Sequence, residues 1–328
     1  MPITVLGAGS WGTALALQLA KKNRTVNLWG RESENITNLI QTRENKQYLP
    51  NIFLPKNIVI FSELNAALKD AKEVLIAVPS DNLREILIKM RSLNKNFDIW
   101  WASKGFEVNT GLLPHNICEE IFDENQKMAI ISGPTFAIEV AQNKPTAVTI
   151  ASKNKAFSKY LASNISDLSF RAYTSHDITG VEIGGAIKNI LAIGAGISDG
   201  LDYGDNSRIA LINRGLAEMQ RLGVALGADN KTFLGLAGMG DLVLTCTSNL
   251  SRNRRFGLAI AKGKTISEAK LEINQVIEGI TATAAMHNLS KKMQIDMPIC
   301  TTINNILFNG LNPENAAKAL MSRELQSE

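Results

Sequence analysis

Residues 3–6 (ITVL) form a short β-prone run, and Gly7-Ala8-Gly9-Ser10-Trp11-Gly12 follows at once. Residues 13–22 (TALALQLAKK) then read as a helix and 25–29 (TVNLW) as a second strand. No other stretch restricts the fold so tightly. Strand, glycine turn, helix and strand within about thirty residues is the βαβ setting in which Gly-x-Gly-x-x-Gly binds a dinucleotide. There Gly7 permits the tight turn, Gly9 lets a diphosphate approach the backbone, and Gly12 lets the helix pack closely on the sheet. The helix N-terminus offers free N–H groups and a favourable dipole to the same anion. Trp11 could stack on the cofactor or simply pack on the loop.

The end of the second strand bears on which cofactor binds. A carboxylate there suits the ribose 2′-OH of NAD, and an arginine suits a 2′-phosphate. The strand runs into Gly30-Arg31-Glu32, so Arg31 at the tip points to NADPH, while Glu32 keeps NADH open.

Strand and helix patterns go on alternating. Residues 58–60, 73–78, 98–103, 128–132 and 146–151 are apolar runs of strand length separated by helical stretches. Continuous apolar strands of this kind belong to a mostly parallel sheet covered on both faces. Ligands of such sheets bind beyond the carboxyl ends of the strands. That rule singles out Pro79-Ser80, Lys104, and Gly133 with Thr135. Lys104 follows a strand and precedes a glycine, where it could meet a substrate phosphate or hydroxyl, or be an exposed loop lysine. Gly133-Pro134 reads as a turn with proline at the first helical position, leaving N–H groups near 135–137 aimed at the same edge.

Past Val181 the β-rich runs mostly stop. Residues 207–222, 251–262, 267–277, 281–292 and 313–322 read as helices. Thr265-Ile266-Ser267-Glu268 is a capping box, and Asn312-Pro313-Glu314 is a helix start. The expected architecture is therefore α/β: an N-terminal Rossmann-type, mostly parallel, doubly wound sheet over 1–178, then an all-α domain over 179–328.

The helix that opens the second half, 179–195 (TGVEIGGAIKNILAIGA), is apolar on most of its circumference. Lys188 has no carboxylate at i±3 or i±4, so its ammonium has no partner on its own helix. Gly184 and Gly185 each weaken a helix interior by about 1 kcal/mol relative to alanine, and close approach of another backbone or a ligand is the usual reason for keeping them. Lys188 is then either a lysine in a tight, partly desolvated place that exchanges a proton with substrate, or one that snorkels to solvent. Two further stretches carry chemistry. Gly238-Met239-Gly240-Asp241 is a flexible glycine turn ending in an acid that could cap a helix or orient Lys188. Ser251-Arg252-Asn253-Arg254-Arg255 opens a helix with three arginines, a setting for a phosphate dianion or else a solvated basic face.

Composition excludes several classes. The 328-residue chain, 45% hydrophobic and 20% charged, has the make-up of a soluble globular protein, and its formal net charge is only +4. No basic run with interleaved aromatics points to nucleic acid. Cys118, Cys246 and Cys300 are far apart and odd in number, and His115, His176 and His287 are isolated, so neither a disulfide framework nor a metal site is indicated. No basic flank precedes an apolar run at the N-terminus, and no stretch of about 18 apolar residues suggests a bilayer span. A cytoplasmic location is the default.

The runs GAGSWGTALA, VPS at 78–80, ASKG at 102–105, ISGPTFA at 131–137, GVEIGGAIKNILAIGAGISDGL, GLAGMGDLVLTCTSNLSRNRRFG and QVIEG at 275–279 together resemble the bacterial NAD(P)-dependent sn-glycerol-3-phosphate dehydrogenases. The resemblance covers nearly the whole chain. It implies reversible reduction of dihydroxyacetone phosphate, supplying phospholipid synthesis, with Lys188 as catalytic proton donor and acceptor. It places substrate contacts at Lys104, Gly133, Thr135, Lys188, Asp241, Ser251, Arg252 and Asn253. Beside the glycines Gly7, Gly9 and Gly12, it places cofactor contacts at Ser10, Trp11, Arg31, Lys104, Ala137, Arg252, Val276 and Glu278. Relatives often carry Ser where this chain has Thr135, and Tyr or Phe where it has Trp11; both changes keep the hydroxyl or the ring. Residue 31 varies among relatives. A phosphorylated small molecule is the expected partner, no metal is expected, and a homodimer is compatible with the sequence. Two rivals are a hydroxyacid-type dehydrogenase acting on a carboxylate and a non-catalytic dinucleotide sensor. The Ser-Arg-Asn cluster favours phosphate over carboxylate, and a sensor has little use for Lys188.

Overall fold

The computed structural model describes residues 2–31, 33–93, 95–123 and 125–323. Close packing divides the chain into two compact units, one of residues 1–104 and 114–181, the other of 105–113 and 182–328.

The first unit is built on one eight-stranded sheet: β1 (Ile3–Leu6), β2 (Val26–Trp29), β3 (Ile58–Phe61), β4 (Glu73–Ile76), β5 (Asp98–Trp101), β6 (Met128–Ser132), β7 (Thr146–Ala151) and β8 (Phe170–Ser175). Their order is β3-β2-β1-β4-β5-β6-β7-β8. Every neighbouring pair is parallel except β6 and β7. β1, β2, β4 and β6 are buried along their whole length, which is why they read as mostly apolar runs. Ile3 and Val5 face Leu15 and Leu19 of helix α1 (Ser10–Ala20), while Thr4 and Asn27 donate to the Ala67 carbonyl on the opposite face. Both faces of the sheet are thus covered. The chain leaves β1 towards β2 and returns on its other side as β4, so the topological switch lies between β1 and β4. In sheets of this type that is where ligands bind.

The apolar runs gave no sign of β8. It is an edge strand whose Arg171, Tyr173 and Thr174 are exposed, so half its residues are free of the apolar requirement. Pro134 does not open a helix either. The short helix Ala137–Ala141 begins three residues later, after the chain has run close beside β7 at Gly133 (φ +148), where a methyl would sit 3.0 Å from the Val148 Cα.

The second unit is helical. Its core gathers around α2 (Ile178–Gly200), whose Ile187, Ile190 and Ile193 are fully buried. Packed in the same core are α3 (Gly204–Ala225), α4 (Asp241–Thr247), α5 (Arg252–Ala261), α6 (Glu278–Met293) and α7 (Pro298–Phe308). By length and composition α2 could cross a bilayer, which corrects the expectation that no stretch is apolar enough. All of its most apolar window is buried inside the protein, as befits the central helix of a core. The Thr265–Glu268 capping box and the Asn312 cap form as the sequence indicates.

The helical pattern does not single out α7, although Pro298 in its first turn is a start signal. Its Thr301, Thr302 and Ile303 are β-branched and poor helix formers. The Glu218 carboxylate of α3 accepts from the N–H groups of Ile299 (2.6 Å) and Cys300 (3.1 Å), so α7 is capped from a different helix. The glycine stretch before Asp241 is not a flexible turn. Leu236–Gly240 forms one π-helical turn that runs straight into α4.

Candidate active site

In the first unit the glycine motif closes the end of β1. Gly7 has φ +121, and a methyl there would lie 2.6 Å from the Ala77 carbonyl oxygen at the end of β4. A methyl on Gly12 would lie 1.8 Å from the Gly7 carbonyl oxygen, so α1 can meet the turn only without a side chain at 12. Gly9 has nothing within 4 Å of that position. Two glycines are therefore fixed by the protein's own packing, and the third faces open space.

α1 starts at Ser10, earlier than the apolar pattern suggested, so Ser10, Trp11 and Gly12 form its first turn. Thr13 N–H bonds to Gly9 O at 3.0 Å. No side chain caps this end and no acidic residue occupies the first turn. The backbone donors that a helix start leaves unsatisfied remain for an anion, and the set fits a dinucleotide diphosphate. Ser10 Oγ donates to the Tyr48 carbonyl at 2.8 Å, and Trp11 is half-buried. Arg31 is exposed, two residues past β2, and Glu32 lies outside the described residues. Lys104 is buried rather than an exposed loop lysine. Thr135 Oγ1 donates to the Gly133 carbonyl at 3.2 Å, and Ala137 is the first residue of its short helix.

In the second unit Lys188 does not snorkel. Its Nζ donates to Asp241 Oδ1 at 2.5 Å and to Thr245 Oγ1 at 3.2 Å, and the lysine and aspartate side chains are only 8% and 1% exposed. Thr245 Oγ1 donates in turn to the Asp241 carbonyl at 2.5 Å. The partner that α2 could not supply comes from the first residue of α4. Gly184 explains how that residue gets close: a methyl there would sit 2.3 Å from the Ala237 carbonyl oxygen, in the π turn that delivers Asp241. Beside them Cys246 is fully buried, and burial pushes its thiol well above the usual range, so it is no nucleophile.

The start of α5 lies in the same unit. Ser251 is its N-cap, with Oγ accepting from the Arg254 N–H at 3.2 Å. The three arginines are not equivalent. Arg254 Nε donates to Asp199 Oδ2 at 2.8 Å and Nη1 to Asn249 Oδ1 at 2.5 Å, so this guanidinium is spent inside the protein. Arg255 is exposed, whereas Arg252 is half-buried on the first turn, with no carboxylate paired to it among the described residues. Asn253 is buried and donates to Asn189 Oδ1 at 2.9 Å. Glu278, the first residue of α6, accepts from Asn189 Nδ2 at 3.2 Å, and Val276 is 54% exposed.

Lys188, Asp241 and Thr245 thus form one cluster, and Asn189, Asn253 and Glu278 form another. Thr245 and Asn189 were not singled out from the sequence. The signal for Thr245 is its i+4 spacing from Asp241 on one helix, and for Asn189 its place next to Lys188.

The sequence model of the NAD-dependent glycerol-3-phosphate dehydrogenase N-terminus matches residues 2–158, and that of the C-terminus matches residues 177–318. The chain belongs to the NAD-dependent glycerol-3-phosphate dehydrogenase family. Among its relatives, the glycerol-3-phosphate dehydrogenase [NAD(P)+] of Aeromonas hydrophila is 46% identical over 99% of this chain and 98% of its own. That of Bartonella tribocorum is 47% identical over the same shares. The crystal structure of glycerol-3-phosphate dehydrogenase from Coxiella burnetii superposes with a TM-score of 0.95 at 45% identity, over 98% of this chain and 99% of that one. Family membership makes the chain an NAD(P)-dependent oxidoreductase.

Proposed function

We propose that this member of the dehydrogenase family reversibly reduces dihydroxyacetone phosphate to sn-glycerol 3-phosphate, with Lys188 exchanging the proton. The observation that carries the reading is the buried Lys188 ammonium held 2.5 Å from Asp241. Gly7, Gly9, Ser10, Trp11, Gly12, Arg31, Lys104, Ala137, Arg252, Val276 and Glu278 are the residues assigned to the cofactor. When bound, the reduced nicotinamide supplies the hydride that C2 of the substrate receives.

Lys188 enters reduction as the ammonium. It gives its proton to the C2 oxygen as negative charge grows there, and the preformed donor stabilises that charge without reorganising water. Asp241 favours the charged amine and, with Thr245, fixes its direction. In oxidation the neutral amine takes the hydroxyl proton, and Asp241 then stabilises the ammonium that forms. Arg252 and Asn253, backed by Ser251, hold the phosphate; Lys104, Gly133 and Thr135 complete the substrate contacts. Binding through the non-reacting phosphate orients the carbonyl, so a ketone lacking it should lose turnover as well as affinity.

Arg31 at the end of β2 supports a preference for NADPH, with NADH as the second substrate. The proposal uses no metal. The buried Cys118, Cys246 and Cys300 suit the reducing conditions of a cytoplasmic location, and the product is the backbone that glycerophospholipid synthesis consumes. Most of the proposed cofactor contacts fall in 1–178, the nucleotide-binding domain, and most of the substrate contacts in 179–328, the substrate-binding domain, with a homodimer as the working assembly. The decisive assay follows NADPH oxidation with a panel of phosphorylated ketones and oxo acids. Turnover of dihydroxyacetone phosphate with inert oxo acids is expected. The reverse pattern overturns the proposal.

A further inference from the structure

The amide of Asn253 sits in a hydrogen-bonded chain whose two ends each allow only one polarity. At one end the backbone N–H of Gly279, which can only donate, bonds to Asn253 Oδ1 at 3.0 Å. Asn253 Nδ2 then donates to Asn189 Oδ1 at 2.9 Å, and Asn189 Nδ2 donates to Glu278 Oε2 at 3.2 Å. An ionised carboxylate can only accept. The chain therefore runs one way, from the Gly279 N–H through two amides to the Glu278 carboxylate.

Reversing either amide sets donor against donor or acceptor against acceptor. Asn189 and Asn253 are buried, 4% and 7% exposed, so such a mismatch is not relieved by water. The contact at Gly279 is equally tight: a methyl there would lie 2.6 Å from Asn253 Oδ1 and 2.7 Å from the Asn189 carbonyl oxygen. The donor end of the chain thus depends on the absence of a side chain at 279.

We infer that Glu278 is a positioning residue for substrate: through Asn189 it fixes the Asn253 amide so that the second Nδ2 hydrogen stays available as a donor. A phosphate dianion offers only acceptors, so this is the polarity that a phosphate grip needs. The inference rests on the proposed function and goes beyond the cofactor contact assigned to Glu278, because it gives that side chain an effect on the phosphorylated substrate. Asn189, next to Lys188 on α2, is the link that carries the effect from α6 to α5.

Electrostatics alone makes the opposite forecast. Removing an anion from the neighbourhood of a phosphate site, or putting a cation there, should tighten dianion binding. The polarity chain forecasts weaker binding, because a lysine at 278 can only donate and leaves the chain with donors at both ends. The test is a series, Glu278→Gln, Glu278→Leu and Glu278→Lys, assayed for KM of dihydroxyacetone phosphate at saturating NADPH. Gln can still present an oxygen to Asn189, so of the three it should raise this KM least. Leu should raise this KM about fivefold, the scale of one neutral hydrogen bond, and Lys should raise it further. With Asn253→Ala as background the series should lose its effect, since Glu278 then has nothing to orient. A lower or unchanged KM in the Lys variant, a shift confined to KM of NADPH, or full additivity with Asn253→Ala overturns the assignment while leaving the proposed function in place. Wild-type enzyme that fails to reduce dihydroxyacetone phosphate removes the proposed function, and this assignment with it.

Discussion

A lysine amine in water is a poor partner for a developing alkoxide, because its long stem samples many positions and water competes for the proton. Lys188 has lost both freedoms. Its side chain is 8% exposed and its Nζ is tied to Asp241 and Thr245. Lys188→Met keeps the apolar stem and removes the proton, so turnover should fall at least ~10²-fold, the usual scale of positioned acid–base catalysis. Steady-state kcat at saturating substrate checks this, and near-normal turnover excludes the role. The cofactor question also belongs to single side chains. Arg31→Ala should shift the kcat/KM ratio of NADPH to NADH towards NADH, and an unmoved ratio means that Arg31 does not read the 2′-phosphate. The sequence made Lys188 conspicuous by what it lacked, a carboxylate one helical turn away. It could not locate the partner, because Asp241 lies 53 positions on and the pairing depends on how two helices pack. Arg254 shows the converse: a basic run looks like a phosphate site until the fold commits one member to Asp199.

Helices and strands were legible where a whole face or both faces are buried, and illegible where a neighbour supplies the stabilisation. β1 and β6 match their apolar runs, whereas β8 at the sheet edge and α7, capped by Glu218, do not. The paired glycines of α2 belong to the first kind: unfavourable in the helix, they marked a close crossing before any coordinates. At Gly184 the crossing is the π turn carrying Asp241. Alanine there gains about 1 kcal/mol of helix propensity, so a helix free of neighbours would be stabilised. Its methyl would meet the Ala237 oxygen at 2.3 Å, far inside contact distance, so the turn must retreat. A shift of about 1 Å in a catalytic group can cost ~10²-fold. Gly184→Ala should therefore lower kcat by at least about tenfold while the cofactor KM changes little. Unchanged turnover would mean that the turn is not what places Asp241.

At the scale of the whole chain, two carboxylates are shifted in opposite directions by different causes, Asp167 in the first unit downwards and Glu218 in the second upwards. In the first unit burial works against the Asp167 carboxylate, but Lys21, Gln18 and the N–H and hydroxyl of Ser169 outweigh it and hold the group well below the usual range. Its folded-state pKa is depressed, so its stabilisation is present above the unfolded value, about 3.9, and is lost as pH falls through the folded value. In the second unit burial raises the Glu218 carboxyl, and the two α7 amides and Cys300 recover only part of the cost. A raised pKa has the reverse sign: the contribution is fullest below the unfolded value, about 4.3, and fades as pH rises through the folded one. Melting temperatures of wild type, Asp167→Asn and Glu218→Gln from neutral pH down to about pH 4, near the unfolded pKa values, separate the two cases. Near neutral pH Asp167→Asn should be at its full disadvantage, which shrinks only at the acid end. Over the same descent wild type should gain on Glu218→Gln, because protonation relieves a buried charge while the amide stays constant. Parallel slopes for the two variants would show that one of these carboxylates is solvated in the folded protein, and the opposition of sign between Asp167 and Glu218 would fall.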